Sequence, residues 1–145
     1  MSKLNESDYH FEYQEDPIPE DEQVLNDGIS DEAVRKKQME RFKPFGIFIK
    51  DTKEIVLGGV SGIIIYGSLY VDALWLKEEL RHQGLGKKLM NEAEKIGRER
   101  ECTFATVDTM DWEALPFYQK LGYEIEFVRE GFANESKMIM LRKKL

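Results

Sequence analysis

The sequence predicts a mixed α/β domain with a partly antiparallel sheet, and three observations carry that prediction. Apolar, β-branched runs separated by short turns fill residues 45–76, which is typical of antiparallel strands. A helical pattern over residues 85–101 lies between two apolar runs, and this order implies a right-handed parallel crossover. A second helical segment then ends at Gly122 and precedes two further strand-like segments.

The N-terminal part predicts one strand followed by helix. Residues 7–13 suit a first strand, and Pro17 and Pro19 break it. Residues 20–42 suit one or two helices, with a separation expected at Gly28. We expect these helices to contribute to the substrate side of the protein.

The next part of the chain predicts a three-stranded antiparallel meander. Residues 45–49 and 55–66 are apolar and β-branched, and residues 51–54 between them suit a hairpin turn. A Gly-Ser pair then turns the chain into a third strand over residues 69–76.

The crossover helix has one apolar face. Four apolar residues at spacings of 4, 4 and 3 form a single stripe that predicts burial against the sheet: Leu85, Leu89, Ala93 and Ile96. Residues 104–107 then suit the short parallel strand.

The remaining chain predicts a short helix and two closing strands. The helix is expected to begin at Leu115 or Pro116, because proline is favoured in a first helical turn. It is expected to end at Gly122 in a left-handed conformation. Residues 123–129 and 138–141 suit the strands.

Length and composition predict one domain over residues 1–145, in which residues 1–44 would supply the substrate-side helices. The 145 residues are 41% hydrophobic and 34% charged, which is ordinary for a globular protein. The single cysteine, Cys102, excludes an internal disulfide and a cysteine metal cluster, and we expect it to be a small buried hydrophobe. We expect no metal.

Net charge and hydropathy argue against two classes of binding partner, nucleic acids and membranes. The net charge of −7 argues against nucleic acid, and no apolar run approaches the ~20 residues that cross a bilayer. The start of the chain lacks the apolar core of a signal peptide, so we expect a cytoplasmic protein with no membrane partner. Residues 1–32 carry eleven acids, which form either a solvated flank or an acidic approach for a cationic amine.

A glycine-containing loop opens the crossover helix. Gly84 and Gly86 allow a tight turn with bare N–H groups, and the helix beginning there directs its unpaired amides and its positive dipole end to the same point. Arg81, Lys87 and Lys88 add positive charge. The loop therefore predicts an anion site suited to a pyrophosphate.

Two motifs resemble the GCN5-related N-acetyltransferase (GNAT) superfamily. One is Arg81-x-x-Gly84-x-Gly86, which in that family lies between the fourth strand and the third helix. The other is the segment Ala-Leu-Pro-Phe-Tyr-Gln-Lys-Leu-Gly-Tyr over residues 114–123. The resemblance is good over residues 45–145. It implies the GNAT fold, acetyl-CoA as co-substrate, and a CoA-binding set comprising Leu74, Trp75, Leu76, Arg81, His82, Gln83, Gly84, Leu85, Gly86, Lys87, Asp111 and Tyr118.

The resemblance also implies two catalytic functions. Main-chain N–H groups at Leu74, Trp75 and Leu76 would polarise the thioester carbonyl and pair with the pantetheine arm. Tyr118 matches the family tyrosine that supplies a proton to the leaving thiolate, with a core aromatic as the alternative. His82 either contacts phosphate or points outward.

Asp72 and Asp111 are the two carboxylates of interest. Asp72 interrupts an apolar strand, and alternation places it on the face of Leu74 and Leu76, so it is our candidate general base. The alternatives are an ion-paired structural carboxylate and one that acts through water. Asp111 stands where the family commonly has asparagine, and it either caps the following helix or accepts an amide N–H.

These observations predict an N-acetyltransferase. It would transfer an acetyl group from acetyl-CoA, by direct attack, to a primary amine of a small molecule or peptide, a small cationic amine or a lysine. The alternatives are a non-catalytic acyl-CoA-binding or regulatory domain of the same fold and an unrelated phosphate-loop binder. A homodimer is the candidate assembly. The acceptor, the true base and the oligomeric state are not determined by sequence.

Overall fold

The computed structural model describes residues 3–145 and divides into two compact units, Met1–Met39 and Glu40–Leu145. The first unit contains a single 3-10 turn (Glu6–Asp8) and helix α1 (Pro19–Lys37). The second contains, in chain order, β1 (Lys43–Lys50), β2 (Val56–Ile65), β3 (Ser68–Leu76), a 3-10 turn (Glu78–Leu80), α2 (Leu85–Glu99), β4 (Phe104–Met110), α3 (Leu115–Lys120), β5 (Glu124–Phe132), a 3-10 turn (Ala133–Glu135) and β6 (Ser136–Lys144).

The first unit differs from the sequence prediction in two ways. Residues 7–13 do not form a strand: they are almost wholly exposed, and within the described residues no strand pairs with them. Helix α1 runs unbroken through Gly28, although glycine costs ~1 kcal/mol relative to alanine inside a helix. Acids in the first turn and bases in the last turn complement the helix dipole and favour the continuous helix.

The second unit is built on one six-stranded sheet of order β1-β2-β3-β4-β6-β5. Only β3 and β4 are parallel; every other neighbouring pair is antiparallel. Helix α2 makes the crossover between the parallel strands, as predicted. The strand before the glycine loop is the third here rather than the fourth, because the expected first strand does not form.

Helix α2 packs its apolar face on the sheet. Leu89, Met90 and Ala93 are buried, and Leu69 and Val71 of β3 belong to the same core. The predicted stripe is therefore confirmed, with its end residues partly buried. Apolar burial of this kind contributes roughly 25 cal/mol per Å² removed from water.

One charged residue of α2 lies inside the core. Glu94 is 2% exposed and accepts hydrogen bonds from the Tyr123 hydroxyl at 2.9 Å and from Lys143 Nζ at 2.7 Å. A buried carboxylate is tolerated when it is paired in this way. The contacts join α2 to β6 and to the residue that precedes β5.

The segment after β4 follows the prediction closely. Helix α3 begins at Leu115 with proline in its first turn, and Gly122 has a φ of +97° just beyond the end. The two closing strands are longer than expected, because backbone pairing extends past the apolar runs that identified them.

The two parallel strands diverge. Their pairing ends at Val71 opposite Val107, although β3 continues to Leu76 and β4 to Met110. Beyond that point the edge of β3 that faces β4 has no strand partner among the described residues. An open cleft follows between the two strand ends.

A bulge in β3 lies at the same place. Ala73 pairs with Ser61 and Val71 pairs with Gly62, so Asp72 is the extra residue. The neighbouring strand is close here: a Cβ added to Gly62 would lie 2.1 Å from the backbone oxygen of Tyr70. The bulge therefore depends on a glycine in β2.

Candidate functional site

The cleft between β3 and β4 brings several predicted site residues together. It encloses about 290 Å³. Its walls are the diverging strands and the first part of α3. The lining residues are Val71, Asp72, Ala73, Leu74, Val107, Asp108, Thr109, Glu113, Ala114 and Tyr118.

Tyr118 is the buried polar side chain of this cleft. It is only 6% exposed, and its ring packs edge-on against Phe117 and Tyr123, with centroids 5.1 and 5.9 Å away. Its hydroxyl has no hydrogen-bond partner within residues 3–145. Burial, followed by the nearby charge of Glu113, raises the pKa of Tyr118 to about 12. The hydroxyl therefore keeps its proton at neutral pH and is free to donate it to a ligand.

Asp72 lies on the opposite wall, at the bulge. It is exposed, and in the described part of the chain no basic side chain lies within 4 Å of it, so the ion-paired alternative is not what the structure has. The bulge interrupts the alternation that placed Asp72 on the face of Leu74. Asp72 and Leu74 nevertheless both line the cleft.

A second carboxylate, which was not predicted from the sequence, lines the same cleft as Asp72. Asp108 follows Val107 in β4, and its Oδ2 accepts a hydrogen bond of 3.1 Å from the Tyr70 hydroxyl. Burial, then the charge of Asp108, raises the pKa of Tyr70 to about 12. The signal was available: Asp108 follows directly on an apolar strand run, as Asp72 interrupts one.

Two further polar residues were missed, and they hold the loop between β4 and α3. The Thr109 hydroxyl accepts the Ala114 N–H at 3.2 Å. The Glu113 carboxylate accepts the Met110 N–H at 2.9 Å. These bonds fix the start of the short helix that carries Tyr118.

The end of β3 contributes backbone to the site. Leu74 and Leu76 pack on the core, whereas the Trp75 side chain is 56% exposed and lines a separate groove with Phe48. The Leu76 carbonyl accepts a 3.0 Å hydrogen bond from Arg81 Nε, which ties the glycine loop to the strand. The backbone edge facing β4 stays open, as a ligand arm that pairs with β3 requires.

The glycine loop has the geometry of an anion site. Gly84 has a φ of +79°, and the first bond into helix α2 runs from the Lys88 N–H to the Gly84 carbonyl at 3.1 Å. The amides of Leu85, Gly86 and Lys87 precede that bond, and no described side chain caps them. They are therefore available to an anion.

The loop side chains have different contacts. His82 is exposed with a φ of +62°, and Gln83 donates from Nε2 to the Glu79 carbonyl at 3.0 Å. Arg81, Lys87 and Lys88 are exposed and have no carboxylate within 4 Å in the part of the chain described. Three unpaired cations beside free helix amides fit a pyrophosphate.

Asp111 does not cap α3. Helix α3 has no side-chain cap, and Asp111 Oδ1 accepts the Lys137 N–H at 3.1 Å while the Lys137 carbonyl accepts the Asp111 N–H. The capping prediction is wrong, because Ala114 occupies the N-cap position and Asp111 lies three residues earlier.

Within residues 3–145, no group of three or more histidine, cysteine or acidic side chains is placed to hold a metal, and none of the described helices is both long and apolar enough to span a bilayer. Cys102 is buried, as expected, and burial raises the pKa of its thiol.

The chain is similar in sequence to known acetyltransferases. A family model described as the acetyltransferase (GNAT) family matches residues 3–123. The blasticidin-S acetyltransferase of Streptomyces morookaense is 31% identical over 109 residues, which are 71% of this chain and 80% of that protein. An acetyltransferase of Agrobacterium fabrum is 37% identical over 81 residues, 56% of this chain; this match spans only 59% of the relative's length.

Solved structures share the fold. A crystal structure from Agrobacterium tumefaciens, of a protein assigned as an acetyltransferase, has a TM-score of 0.81 and 26% identity, covering 94% of this chain and 100% of that one. A protein of Bacillus anthracis assigned as a streptothricin acetyltransferase, solved with acetyl coenzyme A, has a TM-score of 0.58 and 17% identity, covering 63% and 57%.

Proposed function

Because the chain belongs to the GNAT acetyltransferase family, we propose that it transfers an acetyl group from acetyl-CoA to a primary amine by direct attack. The observation that carries the proposal is the cleft between β3 and β4. An unpartnered, protonated tyrosine of α3 and a carboxylate of β3 both line it, beside an open strand edge. A proton donor and a proton acceptor on opposite walls are what amide formation from a thioester requires.

The residues for holding acetyl-CoA lie in two places. The amides of Leu85, Gly86 and Lys87 would bind the pyrophosphate, with Arg81 and Lys87 supplying charge. The open edge of β3 over Leu74, Trp75 and Leu76 would pair with the pantetheine arm. His82, Gln83 and Asp111 remain proposed contacts of the same ligand.

The chemistry balances with the residues present. Asp72, directly or through water, accepts a proton from the acceptor ammonium, so that the nitrogen lone pair can attack the carbonyl carbon. A main-chain N–H of β3 stabilises the developing oxyanion, worth roughly 3–4 kcal/mol in comparable sites. The C–N bond forms, the C–S bond breaks, and Tyr118 donates its proton to the departing sulfur. The nitrogen, positively charged again after the attack, loses its second proton to the Tyr118 phenolate, which restores the tyrosine. The products are an acetamide and free CoA.

The acceptor is proposed to be a cationic small molecule or a lysine side chain. The cleft carries the carboxylates of Asp72, Asp108 and Glu113, and within residues 3–145 none of them has a basic partner within 4 Å. Such a site attracts cations. One relative is named for blasticidin S, so that compound belongs in the acceptor panel.

A thiol-release assay tests the proposal. The purified protein and acetyl-CoA are incubated with butylamine, putrescine, a lysine peptide, blasticidin S and amino acids, and products are identified by mass spectrometry. We expect amine-dependent CoA release with a matching acetamide. Binding of acetyl-CoA without turnover over the whole panel would favour a non-catalytic acyl-CoA-binding domain. No binding at all would favour an unrelated phosphate-loop binder.

A further inference from the structure

Helix α3, which carries Tyr118, is too short to fix its own position. It has six residues, and its N-cap, Ala114, makes no side-chain capping bond. Isolated helices shorter than ~12 residues are marginal in water, so packing and hydrogen bonds from outside the helix must hold this one. The direction of the Tyr118 ring therefore depends on what holds the two ends of α3.

A buried threonine of β4 holds the start of α3. Thr109 is 5% exposed, and its hydroxyl oxygen accepts the Ala114 N–H at 3.2 Å. Amide groups at a helix start have no partner within the helix, so this bond satisfies a donor that would otherwise be left over. Thr109 is itself fixed in the sheet, where it pairs with Ile139 of β6. The bond thus joins a short, weak helix to a rigid strand.

The same contact continues to the tyrosine. The Ala114 carbonyl accepts the Tyr118 N–H at 3.2 Å, so one residue links the Thr109 hydroxyl to the Tyr118 backbone. On the other side, the Tyr118 carbonyl accepts the N–H groups of Leu121 and Tyr123, each at 3.1 Å. Of these four bonds, the one from Thr109 uses a side chain, and a substitution can remove it.

The other polar side chain of this loop holds the loop to itself. Glu113 is exposed, and its carboxylate accepts the Met110 N–H at 2.9 Å, which closes a turn of four residues. Thr109 instead connects the strand to the helix. Thr109 is therefore the residue on which the placement of Tyr118 depends.

We infer that Thr109 is a positioning residue for the reaction: through Ala114 it holds Tyr118 so that the tyrosine hydroxyl lies in the cleft and reaches the departing sulfur. This inference rests on the proposed function, in which Tyr118 is the proton donor. Thr109 exchanges no proton itself. A displacement of about 1 Å in a reacting group can cost ~10²-fold in rate, so the effect of losing this bond falls on kcat.

Three substitutions of threonine test the inference. Thr109→Val keeps the size of the side chain and removes the acceptor, and we expect it to lower kcat by about 10-fold or more, with acetyl-CoA affinity within about 2-fold by calorimetry. Thr109→Ser keeps the hydroxyl and should restore most of kcat. Thr106→Val makes the same change earlier in β4, at a position that does not line the cleft, and should leave kcat near the wild-type value.

A double-mutant cycle separates positioning of Tyr118 from a general structural effect. In a Tyr118→Phe background there is no hydroxyl to position, so adding Thr109→Val should lower kcat by less than about 2-fold. If Thr109→Val lowers kcat by the same factor in both backgrounds, the inference is wrong. It is also wrong if folded Thr109→Val has wild-type kcat, or if Thr109→Ser is as slow as Thr109→Val. Should valine prevent folding, Thr109→Ala removes the same acceptor and takes its place.

Failure of the inference and failure of the proposed function give different results. If amines react and Thr109→Val does not slow the reaction, the transferase stands and the inference fails. If the wild-type protein acetylates no amine, the transferase proposal fails, and amide hydrogen exchange then decides the inference. The Ala114 and Tyr118 amides should exchange about 10-fold faster or more in Thr109→Val than in the wild-type protein and in Thr109→Ser. Unchanged exchange would show that Thr109 does not hold this helix.

Discussion

At the scale of single residues, the environments of three tyrosines differ in a way that matters for chemistry. Tyr123 donates to buried Glu94 and Tyr70 donates to Asp108, so both hydroxyls have partners inside the protein. The Tyr118 hydroxyl has none in residues 3–145 and faces the cleft. The tyrosine that the motif singled out is thus also the one whose hydroxyl is left for a ligand.

Replacement of Tyr118 by phenylalanine should impair the reaction without unfolding the protein. The ring and its packing are kept, so the melting temperature should change little. Loss of a proton donor that acts in the transition state should lower kcat and kcat/KM together by about 10²-fold or more, with acetyl-CoA affinity nearly unchanged.

Tyr123→Phe is the matched control. It removes a hydrogen bond to buried Glu94 and should cost about 1–3 kcal/mol of stability, seen in a melting curve, while kcat of the folded enzyme stays close to wild type. A wild-type kcat in well-folded Tyr118→Phe would mean that Tyr118 is a core aromatic and not a proton donor.

At the scale of elements, the two glycines at the start of α2, the N-cap Gly84 and Gly86 of the first turn, have separate functions. Gly84 adopts a φ of +79° with open space around it, so its requirement is conformational. Gly86 has helical neighbours on both sides, and a Cβ there would lie 3.3 Å from the Phe117 ring. Gly86 therefore permits close packing of α2 on α3, besides leaving its amide accessible.

Gly86→Ala should weaken acetyl-CoA binding more than an equally tight substitution elsewhere on the same helix. The new methyl group presses on Phe117 beside Tyr118 and shifts the amides of the first turn. Gly97→Ala is the control, because its Cβ would lie 3.1 Å from Leu145 and 3.3 Å from Leu69, away from the loop. Both variants should melt earlier, and calorimetry should show a several-fold loss of affinity only for Gly86→Ala. Equal affinities would mean that the first turn does not bind the anion.

At the scale of the whole molecule, two buried tyrosines and the partly buried Tyr70 make stability depend on alkaline pH. The pKa is raised to about 12 for Tyr70 and Tyr118, and that of Tyr123 is raised as well, mainly by burial. An unfolded chain ionises its tyrosines near pH ~10. Between pH ~10 and pH ~12 the unfolded state therefore binds fewer protons than the folded state, and the free energy of unfolding falls as pH rises.

Melting curves recorded from pH 8 to pH 11.5 should show this decline. The melting temperature should fall steeply above pH ~10. Tyr118→Phe lacks one of the three hydroxyl groups whose pKa is raised in the folded state, so its melting temperature should fall less steeply over the same range. A melting temperature that is flat across this range would contradict the burial of these hydroxyls.

Local patterns predicted most of the second unit. Each feature that was predicted depends on residue types and spacings within a short stretch of sequence, which can be read directly. These features are the meander, the apolar stripe of α2, the start of α3 at Leu115 and the left-handed Gly122. The strand expected over residues 7–13 failed for the opposite reason. A strand needs a partner, and nothing local shows whether one exists.

The sequence by itself determined the order of elements, the glycine loop and the motif tyrosine, because turn chemistry, helical period and backbone freedom are short-range properties. The fold alone decided which side chains meet in the cleft. The divergence of β3 from β4 beyond Val71 and the bulge at Asp72 depend on register between strands that are distant in the chain. Those two features place Asp108 and Tyr70 beside Asp72 and leave the Tyr118 hydroxyl facing open space, and strand register is a property of the folded sheet.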